Sequence, residues 1–171
     1  MSTPARKYVI KPLVVCALAA GALAPANAYA LQSGSAPQGA ARPASVVVVA
    51  PGQRLAIGHG QWLTLTATQV CDGGAQTAEN CSSVTNGNQG PDTVSLLTSG
   101  DTTGTLYRAL YLGSGAARIT VQAGQQTYQL RLVRLAGDPG YTVGYAWGAP
   151  QTTATVGATV YNAAGTVLAT L

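Results

Sequence analysis

From Ser45 onward the chain is a succession of short runs rich in Val, Ile, Leu, Thr and Tyr, each stopped by a break carrying glycine or proline. No other feature constrains the fold as strongly. β-Branched and aromatic residues suit a pleated, half-buried surface, whereas Gly, Pro, Asn and Asp supply the backbone angles of tight turns. The runs predict strands at Ser45 to Ala50, Arg54 to Ile57, Gln61 to Val70, Thr93 to Thr98, Thr105 to Leu112 and Ala117 to Ala123. Four more follow at Thr127 to Leu135, Tyr141 to Trp147, Ala154 to Tyr161 and Thr166 to Thr170. Breaks such as Pro51-Gly52, Gly58-His59-Gly60, Gly113-Ser114-Gly115 and Asp138-Pro139-Gly140 space these runs as successive antiparallel hairpins. Within Gln61 to Val70, Leu63, Leu65 and Ala67 share one face and Trp62, Thr64, Thr66 and Thr68 the other, the period of two of a half-buried strand. Past the first thirty residues no stretch repeats apolar residues at the helical period. The expected fold is all-β: a single antiparallel β-sandwich, or a barrel-like relative, with parallel pairing disfavoured for want of crossover helices.

The opening of the chain reads differently. Arg6, Lys7 and Lys11 flank the start of an apolar run from Pro12 to Leu23, and Ala26-Asn27-Ala28-Tyr29-Ala30 places small residues where a signal peptidase cuts, after Ala28 or Ala30. Residues 1–30 are therefore expected to be a cleavable signal peptide. Residues 31–44, built from Gly, Ala, Pro, Ser and Gln, are expected to form a flexible leader, and 45–171 the folded domain. The apolar run is shorter than the ~20 residues of a spanning helix, so no membrane span is expected after cleavage. Val15 stands before Cys16 where a lipoprotein signal has a small residue, and Lys7 stands where a twin-arginine signal has its second arginine. General secretion is the expected route.

Cleavage also changes the charge. The whole chain has nine basic residues against five acids, a net charge of +4, but the signal contains three of the cations and none of the acids. A mature net charge of about +1 removes the compositional case for nucleic acid or an anionic membrane. The Ala/Gly bias, with arginine as the only mature cation, resembles small proteins exported by high-GC Gram-positive bacteria.

Loss of Cys16 leaves Cys71 and Cys81 in a chain bound for an oxidising compartment, where they are expected to pair. The spacing matches no zinc pattern and is too long for a thioredoxin-like redox pair. The segment from Cys71 to Pro91, polar throughout, is expected to be a long irregular insert. Leu55-Ala56-Ile57-Gly58-His59-Gly60, followed by Leu63-Thr64-Leu65-Thr66 and the close cysteine pair, is similar to the opening of subtilisin-inhibitor-like secreted proteins. Such inhibitors brace their reactive-site loop with a second disulfide. No cysteine follows Cys81, so the resemblance does not carry the inhibitory function over.

Residues that could carry a function are few. His59, the only histidine, lies between two glycines at an expected corner, but no Gly-x-Ser-x-Gly motif occurs and no acid neighbours it in sequence. Asp72, Glu79, Asp92, Asp101 and Asp138 all fall in expected loops, without the spacing of a calcium loop. Tyr141, Tyr145 and Trp147 alternate with small residues, forming a ladder that fits either a core or a surface that stacks on sugars. Arg118 and Arg131 are expected to share a solvent face. We therefore expect a secreted, monomeric binding module rather than an enzyme, with no metal or cofactor. Tyr141, Tyr145, Trp147, Trp62 and His59 are its candidate ligand contacts, and a cell-wall polysaccharide or an extracellular protein its partner. Inhibition of an extracellular hydrolase is the alternative, and a hydrolase using His59 with a loop acid a remoter one.

Overall fold

Strand β7 (Gly104–Leu112) is buried along nearly its whole length, and the described architecture is arranged around it. The computed structural model describes residues 45–150 and 155–171, so the expected signal peptide and leader lie outside the described residues. Among the described residues there are thirteen strands and no helix. Strands are numbered in chain order. One sheet runs β1 (Val46–Val49), β10 (Arg131–Leu135), β11 (Tyr141–Gly148), β7, β6 (Thr93–Asp101). A second runs β13 (Val167–Thr170), β12 (Val156–Tyr161), β8 (Arg118–Ala123), β9 (Gln126–Gln129). The third runs β2 (Leu55–Gly58), β3 (Gln61–Leu65), β4 (Gln69–Gly74), β5 (Asn80–Ser83).

Alternation along β7 accounts for its burial. Leu106 and Leu110 enter one apolar cluster with Leu63, Leu65 and Val70 of the β2–β5 sheet, together with Val143 and Tyr145 of β11. Tyr107, Ala109 and Tyr111 enter a second cluster with Ile119, Val121, Ala158 and Val160 of the β8–β13 sheet. The five-stranded sheet therefore gives side chains from both faces to apolar clusters. Burying a large apolar side chain stabilises by about 1.5–3 kcal/mol, so a strand that is dry on both sides gains at nearly every position. Its neighbour β11 obeys the same rule with unequal sizes: Tyr141, Val143 and Tyr145 fill the first cluster, while Gly144 faces the second. A Cβ at Gly144 would lie 3.0 Å from Leu130, so the absence of a side chain there leaves room for that leucine.

Leu130 is the point where the chain changes sheets. Gln129 pairs with Thr120 of β8, and Arg131 pairs with Tyr145 of β11, while the Leu130 amide still donates to the Ile119 carbonyl at 2.9 Å. The expected strand Thr127 to Leu135 is thus two strands in two sheets. Gln61 to Val70 also divides, because the Thr66 hydroxyl accepts from the Gln69 amide at 3.0 Å and turns the chain between β3 and β4.

Three sheets stand where two facing sheets were expected, and one pairing departs from the antiparallel pattern. β1 lies parallel to β10, with Val46 opposite Leu132 and Val49 opposite Leu135. No crossover helix is needed, because strands of all three sheets occupy the chain between these partners. The segment after Cys71 is partly regular: β4 continues to Gly74, and β5 returns beside it with Cys71 directly opposite Cys81. The expected disulfide joins them across a Cα separation of 4.1 Å. Gln89 pins the remaining loop, its Nε2 donating to the Thr93 and Leu110 carbonyls at 2.9 and 3.0 Å. Arg118 and Arg131 lie in different sheets and share no face; Arg118 stacks on Tyr161 instead, 3.6 Å from its ring centroid.

One charged contact joins two sheets within the apolar layer. Arg108, between Leu106 and Leu110 on β7, places Nη1 2.5 Å from Asp72 Oδ1 on β4 and donates from Nη2 to Ser82 Oγ at 2.8 Å. Arg108 is 4% exposed and Asp72 7%, so both charges have lost most of their water. The Oδ1 contact is an ion pair without an aligned hydrogen bond. Burial raises the Asp72 pKa, and the arginine beside it offsets only part of that rise. Burial likewise lowers the Arg108 pKa against the pull of Asp72.

Two outcomes follow from this framework. Replacing both cysteines by serine should lower unfolding stability by about 3 kcal/mol in urea, the value expected for opening a loop of this size. Arg108→Met should cost about 3–5 kcal/mol at pH 7, by leaving the Asp72 carboxylate buried without its counter-charge. Removing Arg108 raises the folded-state pKa of Asp72 further. The deficit should therefore be full above that pKa and shrink as the pH falls through it and the carboxyl takes up a proton. Urea titrations at pH 7 and pH 4 measure this, and an equal deficit at both would show that the carboxylate is not the stranded charge.

Candidate functional site

Three hairpins and the end of β11 converge at one edge of the domain. One is the β2–β3 hairpin, where Gly58 pairs with Gln61 and only His59 and Gly60 form the loop. Both loop residues have positive φ, 52° at His59 and 69° at Gly60, the requirement of the turn whose twist matches a two-residue hairpin. Glycine adopts this backbone freely, whereas histidine is held there at a cost of about 1 kcal/mol. A strained side chain persists when its surroundings fix it. Here they do: the imidazole stacks on the Trp147 indole, with ring centroids 4.0 Å apart and planes 22° from parallel.

Trp147 is held in turn. Its Nε1 donates to the Ile57 carbonyl at 2.8 Å, tying the end of β11 to the β2–β3 hairpin. The indole passes so close to Gly58 that a Cβ there would lie 3.4 Å from Nε1. Beside it stands the β6–β7 hairpin, in which Asp101 pairs with Gly104. Asp101 Oδ1 accepts from the Thr103 amide at 2.7 Å and from the Thr103 hydroxyl at 2.6 Å. These bonds, with a smaller contribution from the nearby His59, hold the exposed Asp101 carboxyl below its usual pKa.

The third hairpin is that of β4 and β5, where Asp72 pairs with Asn80. Together these elements enclose a cleft of about 420 Å³ lined by His59, Trp147, Asp72, Asp101, Thr103 and Asn80, with Gln61, Thr77 and Ser99 adding polar groups. The volume falls within the range of small-molecule sites, about 300–1,000 Å³. Its walls combine one aromatic stack, two carboxyl groups and several hydroxyl and amide groups, a set suited to holding a polar ligand against a flat ring.

Of the residues singled out from the sequence, His59 and Trp147 meet in this cleft. Tyr141 and Tyr145 are buried in the first apolar cluster, and the Tyr141 hydroxyl donates to the Thr66 carbonyl at 2.7 Å. Burial pushes the Tyr141 pKa up to about 12. Tyr141 also borders a hollow of about 260 Å³ with Asp92 and Pro139, at the other end of β7 and β11. Trp62 is half-buried outside the cleft lining, with the Arg54 guanidinium 4.3 Å over its ring. Cys71 and Cys81 form the disulfide.

Asp72 and Asp101 had been read as loop acids, yet both reach the cleft. A signal for Asp101 exists in the turn Gly100-Asp101-Thr102-Thr103-Gly104, which sets an acid at a strand end. Its approach to His59 requires knowing which hairpins are neighbours. The Asp101 carboxylate accepts from the Thr103 amide and hydroxyl, within its own hairpin. The chain matches no protein-family model, no curated protein and no solved structure.

Proposed function

We propose that this protein is a secreted binding module that holds a saccharide in the cleft between the β2–β3, β4–β5 and β6–β7 hairpins. The observation that carries the reading is the Trp147–His59 stack on the wall of a cleft whose other contributors are hydroxyl, amide and carboxyl groups. Sugars present flat C–H faces that pack on aromatic rings and hydroxyls at their edges that bond to such polar groups. The stack is pre-organised, since strained backbone, ring contact and the bond to Ile57 fix it before a ligand arrives. The disulfide and the export-type opening of the chain support a site of action outside the cytoplasm. On this reading the sandwich expected from the sequence becomes a layered β-domain, with the five-stranded sheet in the middle and the ligand held at one end of its strands.

The two tryptophans provide the test. In a fluorescence titration against neutral and amino oligosaccharides of cell-wall type, Trp62→Phe should keep the ligand-dependent signal because Trp62 stands outside the cleft. Trp147→Phe should lose that signal, and His59→Ala should weaken binding by about tenfold, equivalent to 1.4 kcal/mol. A flat response across the whole panel would reject the reading.

A further inference from the structure

The charges around the cleft narrow the ligand further. Its titratable lining groups are Asp72, Asp101 and His59, and no arginine is among the lining residues. The Arg108 guanidinium contacts the lining residue Asp72 and donates to Ser82 Oγ and the Val70 carbonyl. Asp72 is thus answered by Arg108, and Asp101 is left as the lining carboxylate without an ion pair among the described residues.

The two acids differ in a useful way. Asp101 is exposed, and its bonds to Thr103 keep it ionised where solvent meets the cleft. Asp72 lies more than nine-tenths buried, with its Oδ1 closed off from solvent against Arg108, so its charge is already answered inside the fold. The Trp147 ring adds the negative face that attracts ammonium groups.

We propose that the cleft selects a saccharide carrying a free, protonated amino group over its acylated or acidic counterparts, with the exposed Asp101 carboxylate as the group that recognises the ammonium. This rests on the saccharide-binding reading of the same cleft. A neutral sugar leaves the Asp101 carboxylate without a new partner, and an acidic sugar meets like charge, so affinity falls from amino to neutral to acidic sugar.

Calorimetric titration of the mature protein with four probes tests this: a glucosamine tetramer, its fully N-acetylated counterpart, a galacturonic acid tetramer, and spermidine as an amine without a sugar. The glucosamine tetramer should bind at least tenfold more tightly than the acetylated one, and spermidine and the acidic tetramer more weakly than either. Asp101→Asn should bring the amino-to-acetyl ratio close to one. Asparagine can still accept both Thr103 bonds, so an unchanged thermal midpoint would show that this variant keeps the fold. Equal binding of the two hexosamine tetramers would overturn the charge selection and leave the saccharide reading standing. Silence from every probe would remove both. A ratio untouched by Asp101→Asn, or spermidine binding as tightly as the glucosamine tetramer, would also overturn the proposal.

Discussion

Two-sided burial of β7 is the constraint from which the other features follow. A strand that must be apolar on both faces needs a sheet packed against each, and the two clusters around Leu106 and Leu110 and around Tyr107 and Tyr111 are the result. That arrangement leaves Arg108 without water among leucines, and Asp72 answers its charge from another sheet. The same acid then extends to the cleft at the edge. Packing in the middle of the domain and the electrostatics of the candidate site are therefore linked through one carboxylate.

The cleft is assembled from strand ends. β-Sheets fix the positions of their hairpin tips closely, because register and pleat leave little freedom where two strands meet. His59, Asp101 and Trp147 come from three distant parts of the chain, and each is held by a specific partner. The indole holds the imidazole, Thr103 holds the carboxylate, and the Ile57 carbonyl holds the indole. Restraint of this kind lowers the entropy lost when a ligand binds.

Much of the strand pattern was legible in the sequence, since β-branched runs and Gly/Pro breaks act locally. Gln61 to Val70 and Thr127 to Leu135 show where local reading stops. Each is a continuous β-favouring run, and only a threonine turn in one case and a change of sheet at Leu130 in the other divide it. The alternation of Tyr141, Tyr145 and Trp147 was visible, but its surroundings were not. Two of these rings are core, and the third reaches the cleft because it stands at the strand end. Asp72 was hidden for a related reason: it follows a cysteine at the start of a polar stretch, and nothing local reveals that it faces Arg108, thirty-six residues later. The disulfide was legible because its partners are close in sequence and the remaining cysteine, Cys16, stands in the expected signal peptide.

The parallel strand β1 has a consequence for how such a chain reaches its final form. Four consecutive valines pair with Leu132 to Leu135, so the first strand finds its neighbour only after most of the polypeptide exists. Contacts between segments so far apart close late, and until then a short, flat, apolar strand remains without a partner. Val46 and Val48 stay exposed even in the finished fold. During synthesis this segment stays open to pairing with another chain until Leu132 to Leu135 are made, and as the edge of its sheet it keeps one side unpaired afterwards.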